Sequence, residues 1–406
     1  MRRPHLTALA GVAALCFSML ALAPSASAAS GGQSYAHRND RVCATATDGY
    51  AACHAIRHDR VTSSGKAAPM ASAPVGKTAA DIRSAYNLPT PLNVGNSTDG
   101  GALGRTIAIV DAYNAPYAEA DLGVYRKTMG LSTCTTANHC FTKVNQSGVV
   151  GSYPRNNGGW AQEISLDLDM ASAACPDCKI LLVEASSASF TNLAAGVNTA
   201  VKMGATAISN SYGGSDSTAS GTIGQAYNHA NVAITASTGD NGYQVQSPAS
   251  FPGVVAVGGT SLTGSASSGW IESAWSGAGS GCSTLNTKPT YQTSVTQCDK
   301  KATADVSAVA DPNTGVAVYD SYSYQGYSGW MQFGGTSASS PIIASLYAQA
   351  GNFGASAGAY TWGQTGSLND VSGGSNGTCS PSLWCTGVKG WDGPTGLGSP
   401  NGTGAF

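Results

Sequence analysis

The chain has 406 residues, a formal net charge of −2 and only 10% charged side chains, against 52 glycines. Globular chains usually carry about a quarter charged residues, and no basic stripe is present here for nucleic acid, nor a Lys/Arg cluster for an anionic lipid surface. So few titratable groups add little net charge on acidification, which limits self-repulsion at low pH and suits an acid-stable protein.

Arg2 and Arg3 precede an apolar run from Leu6 to Leu22, and a small-residue Ala26-Ser27-Ala28 site follows. This is the pattern of a cleaved secretory signal over 1–28 rather than a membrane anchor, so the mature chain is expected to be extracellular and free of the membrane. Loss of that segment removes Cys16 and leaves ten of the eleven cysteines. In an oxidising compartment an even number suggests five disulfides. Spacing alone does not fix connectivity, but neighbours along the chain suggest Cys43 with Cys53, Cys134 with Cys140, Cys175 with Cys178, Cys282 with Cys298 and Cys379 with Cys385. Cys175-Pro-Asp-Cys178 lacks a thioredoxin-like setting and reads as a structural bridge.

Residues 29–77 are polar, hold three of the six histidines (His37, His54 and His58) and show no sustained apolar period. They read as a short propeptide or leader. A single domain is expected over 78–406, opening with a capped helix after Thr78 and a buried strand at 105–110. A helix at 117–130 follows, then a helix at 160–174, a strand at 179–183 and a helix at 190–203. Strand 205–209, helix 221–231 and strands 232–236 and 253–257 complete the pattern. Strands alternating with helices predict an α/β domain with a mostly parallel sheet covered on both faces.

The strongest local motif is Gly334-Gly-Thr-Ser337-Ala-Ser-Ser-Pro341 ahead of an apolar helix. Two glycines permit a sharp turn, and a serine at a helix start faces amide dipoles that favour an oxyanion, so Ser337 is a candidate nucleophile. A serine nucleophile needs a base. Beyond the leader only His139 and His229 remain, neither in a Gly-Thr-His setting, and both read as surface residues. Glu163 and Asp167, four apart on the 160–174 helix among Ile164, Leu166, Leu168 and Met170, offer a carboxylate pair instead. Burial and mutual repulsion would leave such a pair sharing one proton, a base usable in acid. The same spacing also fits an ordinary helix with an exposed acidic face. Asp240, in a Gly-flanked turn directly after a strand, could donate from a protonated carboxyl to an oxyanion, although Gly-Asp-Asn-Gly is also a plain turn.

Together, Gly-Thr-Ser-Ala-x-x-Pro around Ser337, Glu163-x-x-Leu-Asp167 and Ser-x-Gly-Asp240-x-Gly resemble, in order, the three signature segments of the sedolisins. The resemblance spans roughly residues 76 to 400. It implies a subtilisin-like three-layer fold, a Ser337/Glu163/Asp167 triad, an oxyanion role for Asp240 and endopeptidase activity on protein or peptide substrates in acid. Ser211, Tyr212, Gly213 and Gly214 resemble the edge segment that pairs with extended substrate. The resemblance also implies one structural Ca²⁺, with carboxylates from Asp370 and Asp392 and carbonyl oxygens from Val371, Val388 and Gly390. The chain departs from the family in its short leader, which would stand as its own propeptide partner. Asp111, at a strand end where classical subtilisins keep the triad aspartate, has no partner histidine and reads as structural or as a helper. Two alternatives stay open: a catalytically silent binding protein on this scaffold, and a rearranged histidine-dependent triad. Low charge favours a monomer.

Overall fold

The computed structural model describes residues 35–68, 70–92, 101 and 103–406; the expected signal, residues 1–28, lies outside them. The leader carries β1 (Ala36–Arg41), β2 (Ala52–Cys53) and β3 (Ile56–Val61), and Thr78 then caps α1 (Ala79–Ala85) through a capping box with Asp81. Next come β4 (Thr106–Ala112), α2 (Ala118–Thr128), β5 (Phe141–Asn145), α3 (Gly158–Ala174), β6 (Lys179–Ala185) and α4 (Phe190–Lys202). β7 (Ala207–Asn210), β8 (Tyr212–Ser215), α5 (Gly221–Gln225), β9 (Ala233–Ser237), β10 (Gln246–Ser247), β11 (Val255–Ser265) and β12 (Gly269–Ala274) follow. The last part holds the antiparallel pair β13 (Gly281–Thr287) and β14 (Lys300–Thr303), then β15 (Val306–Val309), β16 (Val316–Tyr324), β17 (Tyr327–Gly334) and α6 (Thr336–Ala350).

The central eight-stranded sheet runs β12-β11-β9-β7-β4-β6-β5, with β15 beside β11. All its pairings are parallel except β11 with β12. Strand β4 shows why the layers form. Its run Ile107–Val110 is apolar, with Ile107 and Ile109 on one face packing in the core that includes Ile164, Leu168 and Ile342. Ala108 and Val110, on the other face, join Val183, Val197 and Ile208. Strands buried on both faces read as continuous apolar runs, and helices must cover both sides. This is the expected α/β architecture, and the catalytic candidates gather where ligands collect in such sheets, beyond the carboxyl ends of the parallel strands.

Two elements differ in extent from the expectation. The helix expected over 221–231 stops at Gln225, since Gly221 and Gly224 weaken it and the chain turns through Asn231 at φ +64°. The strand expected at 253–257 continues to Ser265 because it gains β15 and β12 as partners. All five expected disulfides are present. No helix among the described residues is long and apolar enough to cross a membrane.

The described residues ahead of α1, expected as a leader, pack against the rest of the chain. β1 pairs with β3, and β3 joins β17 through Arg57 with Phe333 and Ile56 with Gly334, giving a four-stranded sheet with β16. Its polar sequence hides this role because part of what faces inward is paired charge: Arg57 and Asp59 form a buried ion pair, and Arg57 also reaches Gln162 at 2.7 Å and covers the Tyr327 ring. Strand β2 pairs antiparallel with β8, Ala52 opposite Gly213 and Cys53 opposite Tyr212.

Candidate active site

Ser337 is the second residue of α6, fully buried, and its hydroxyl donates to the Ser211 carbonyl oxygen at 3.2 Å. The turn ahead of it needs glycine: Gly335 lies at φ +91°, and a Cβ there would stand 1.7 Å from the His54 carbonyl oxygen.

Helix α3 does not have the exposed acidic face that its spacing also allowed. Every residue from Gly159 to Ala174 is buried, including Glu163 and Asp167. Asp167 Oδ1 accepts from the Ser211 hydroxyl at 2.8 Å, and Glu163 Oε2 accepts from the Ala55 amide at 2.8 Å. The outer oxygens, Glu163 Oε1 and Asp167 Oδ2, make no hydrogen bond of ordinary length and angle. Burial first, and then the nearby Asp111 carboxyl, hold both pKa values well above the usual carboxylate range. The Glu163 pKa is opposed by Ser337 and the Ala55 amide, whereas Asp167 is pushed further up by Glu163. A proton held between the two carboxyls is the state that satisfies both, as expected of a coupled pair.

Asp111, at the end of β4, belongs to the same cluster. Both its oxygens are buried without a partner, and burial, then Glu184, raises its pKa to about 8. Asp240 closes the opposite side. Its Oδ1 accepts from the Thr336 amide at 2.8 Å and hydroxyl at 2.9 Å, while Oδ2 has no partner. Burial raises its pKa to about 6 against the pull of the Thr336 amide and Arg41. Below that value the free oxygen carries a proton and becomes a donor.

The edge segment lies beside these groups. Ser211 touches both Asp167 and Ser337, Tyr212 and Gly213 form the ladder with β2, and Gly214 pairs with Ser247 of β10. The groove is filled by the leader. The His54 amide donates to the Ser211 carbonyl oxygen at 3.2 Å. The His54 ring is buried, with Nδ1 2.7 Å from Ser237 Oγ and Nε2 2.9 Å from Gln246 Oε1. Nothing local signals this contact, since His54, Ser237 and Gln246 carry no motif of their own. Nor is His54 a triad histidine, because its ring bonds go to Ser237 and Gln246. His139 is exposed, and His229 is half-buried with its ring at 3.2 Å from Asn198.

In the C-terminal loops, Gly390 N–H reaches both Asp370 oxygens at 3.0 and 3.1 Å, and Asp392 accepts from Val388 N–H at 3.0 Å and from the Thr395 amide and hydroxyl at 2.9 Å. Both carboxylates thus bracket the Val388–Gly390 turn. Burial, with Asp370 adding a neighbouring like charge, raises Asp392 to about 7. Every oxygen of the two carboxylates accepts from an N–H or hydroxyl of these loops, and carboxylate oxygens are the hard donors that a Ca²⁺ takes. Val371 is buried nearby in sequence to Asp370. Among the described residues no three His, Cys, Asp or Glu side chains gather as a metal group.

Strand order, the helix-borne serine and the layering together define a subtilisin-like fold. The backbone superposes on a solved structure described as Pseudomonas sedolisin, a serine-carboxyl proteinase complexed with two molecules of pseudo-iodotyrostatin, with TM-score 0.65 and 24% identity over 82% of this chain and 96% of that one. The subtilase family model matches residues 145–365, more than half of the chain, which therefore belongs to that family. Its relatives there include kumamolisin of Bacillus sp. (strain MN-32), 28% identical over 83% of this chain, and sedolisin of Pseudomonas sp. (strain 101), 35% identical over 39% of it. The chain spans 64% and 29% of the length of these two relatives.

Proposed function

We propose that this chain is a secreted serine-carboxyl endopeptidase that hydrolyses peptide bonds in proteins at acidic pH through an acyl-enzyme on Ser337. The observation that carries the reading is the joint burial of one serine and three carboxyls within a groove already holding an extended peptide segment. Glu163 takes the Ser337 proton as the hydroxyl attacks, and later returns it to the leaving amine. Asp167 orients Glu163 and shares its proton. Base catalysis of this kind contributes about 10²- to 10⁴-fold. Asp240, protonated below about pH 6, donates to the oxyanion from Oδ2, a contact worth about 10²- to 10³-fold. As pH rises through that value the carboxylate opposes the oxyanion, so activity declines on the alkaline side. Ser211 to Gly214 bind substrate backbone by strand addition.

The propeptide lies within the leader, residues 29–77, and the working form is a monomer. Asp370 and Asp392, with carbonyls of Val371, Val388 and Gly390, would hold one Ca²⁺, which supplies positive charge to pin the C-terminal loops. The test is a labelled fluorophosphonate on acid-incubated protein: the wild type is tagged at Ser337, Ser337→Ala is not, and Glu163→Gln is tagged far more slowly. A wild-type chain that binds peptide yet is never tagged or active would overturn the proposal.

A further inference from the structure

The segment in the groove is disposed as a bond about to be cut. On its acyl side, Ala52 and Cys53 pair with Gly213 and Tyr212, and the His54 amide donates to Ser211 O at 3.2 Å. The His54 carbonyl oxygen lies over Gly335, 1.7 Å from where a Cβ would stand, and Asp240 Oδ2 is 2.8 Å from the same point. On the leaving side, the Ala55 amide donates to Glu163 Oε2 at 2.8 Å. The carbonyl oxygen and Asp240 Oδ2 thus lie around the same point at Gly335, and the Ala55 nitrogen lies beside Glu163, the acid that would protonate it.

The His54 ring fills a matched seat. Nδ1 meets Ser237 Oγ at 2.7 Å and Nε2 meets Gln246 Oε1 at 2.9 Å, which a neutral ring satisfies by accepting at Nδ1 and donating at Nε2. Glycine makes the space: a Cβ on Gly213 would lie 2.8 Å from His54 Cε1, and one on Gly239 would lie 2.7 Å from Gln246 Nε2. An aliphatic side chain in this seat would take the donor from buried Gln246 Oε1 and leave the Ser237 hydroxyl only its long contact to the Asn210 carbonyl oxygen at 3.5 Å.

We propose that His54–Ala55 is the bond this chain cuts in itself, and that the Ser237/Gln246 seat makes histidine a favoured residue on the acyl side of its other substrates. The inference rests on the peptidase reading. Ser337 Oγ adds to the His54 carbonyl carbon and gives its proton to Glu163. Collapse breaks the C–N bond as Glu163 protonates the Ala55 nitrogen, leaving a His54 ester on Ser337 and a free amine. Water then attacks the ester, passing one proton to Glu163, and Ser337 departs and recovers it, so one water is consumed and His54 ends as a carboxylic acid. The Cys43–Cys53 bridge lies wholly within the released part, so among the described residues no disulfide retains it. β3 stays paired to β17.

The full chain and its Ser337→Ala variant are incubated at pH 4, and their masses and new N-termini are read. Cleavage between His54 and Ala55 in the wild type alone is expected. On the processed enzyme, the ratio of kcat/KM for peptides with His against Leu on the acyl side should exceed unity, and Gln246→Leu should lower that ratio by about 10- to 100-fold. Casein hydrolysis by the same sample separates the claims. Casein cut while 54–55 stays intact, or a chain cut elsewhere, overturns the inference and leaves the peptidase reading standing. No cut in either overturns both.

Discussion

Removing the titratable ring of the bound leader gives a sharp test of how that segment is held. Burial, with Arg41 adding repulsion and the Gln246 hydrogen bond opposing, lowers the His54 pKa from 6.5 to about 3. The bound form is therefore neutral, while the free segment is protonated below 6.5. It follows that the ring's contribution is fully present above pH 6.5 and is lost as pH falls towards 3. At pH 4 the loss is about 3 kcal/mol, somewhat over a hundredfold in the opening equilibrium. Glu163 and Asp240 lie under the segment and titrate with the opposite sign, so the comparison is made between Ser337→Ala and Ser337→Ala/His54→Gln, which share them. Amide hydrogen exchange of residues 52–55 reads the opening in each, at pH 7 and pH 4. The reasoning predicts that acidification raises opening in the histidine form by about two orders of magnitude more than in the glutamine form. An equal change in the two would refute it.

Buried carboxyls also shape global stability. Asp111 and Asp320 titrate near 8 and Asp240 near 6, all raised chiefly by burial. A carboxyl whose folded pKa is raised costs stability while ionised, and the cost disappears as pH falls through that pKa; so Tm of Ser337→Ala, measured by calorimetry, should be higher at pH 5 than at pH 8. Asp240→Asn keeps an N–H donor at all pH values, so its kcat/KM on a fluorogenic peptide should fall at pH 4 but lose the decline above pH 6 seen in the wild type. Chelation with EGTA should lower the Tm of the wild type by several degrees and leave an Asp370→Asn/Asp392→Asn variant, already less stable, unchanged. Gly335→Ala places a Cβ against His54 O at a positive φ and should destabilise Ser337→Ala by more than about 1 kcal/mol in urea unfolding.

What the sequence disclosed depended on how local the signal was. The parallel sheet was legible because strands such as β4 are apolar on both faces, and the disulfides because each partner is close in sequence. The four-residue spacing of Glu163 and Asp167 was visible, but their burial was not. Burial comes from packing α3 against α6 and from a leader strand more than a hundred residues away. Asp111 stood out at its strand end, yet only the tertiary packing brings its unpartnered carboxyl against Glu163 and Asp167. The leader hid its structure for the same reason: β3 faces inward with the Arg57–Asp59 pair rather than with an apolar stripe, and β2 is two residues long. His54 gained its place from a ladder with β8 and a seat built by Ser237 and Gln246, contacts between residues over 150 positions apart.

The central claim is that a carboxyl pair, not a histidine, activates Ser337. It is tested most directly by casein hydrolysis from about pH 3 to 8 with processed wild type, Ser337→Ala and Glu163→Gln. The account predicts an acid optimum in the wild type, no activity in Ser337→Ala, and a loss of about a hundredfold or more in Glu163→Gln across the range. Full activity of Glu163→Gln in acid, or a wild-type profile that rises to neutral pH as a histidine base would give, would contradict it.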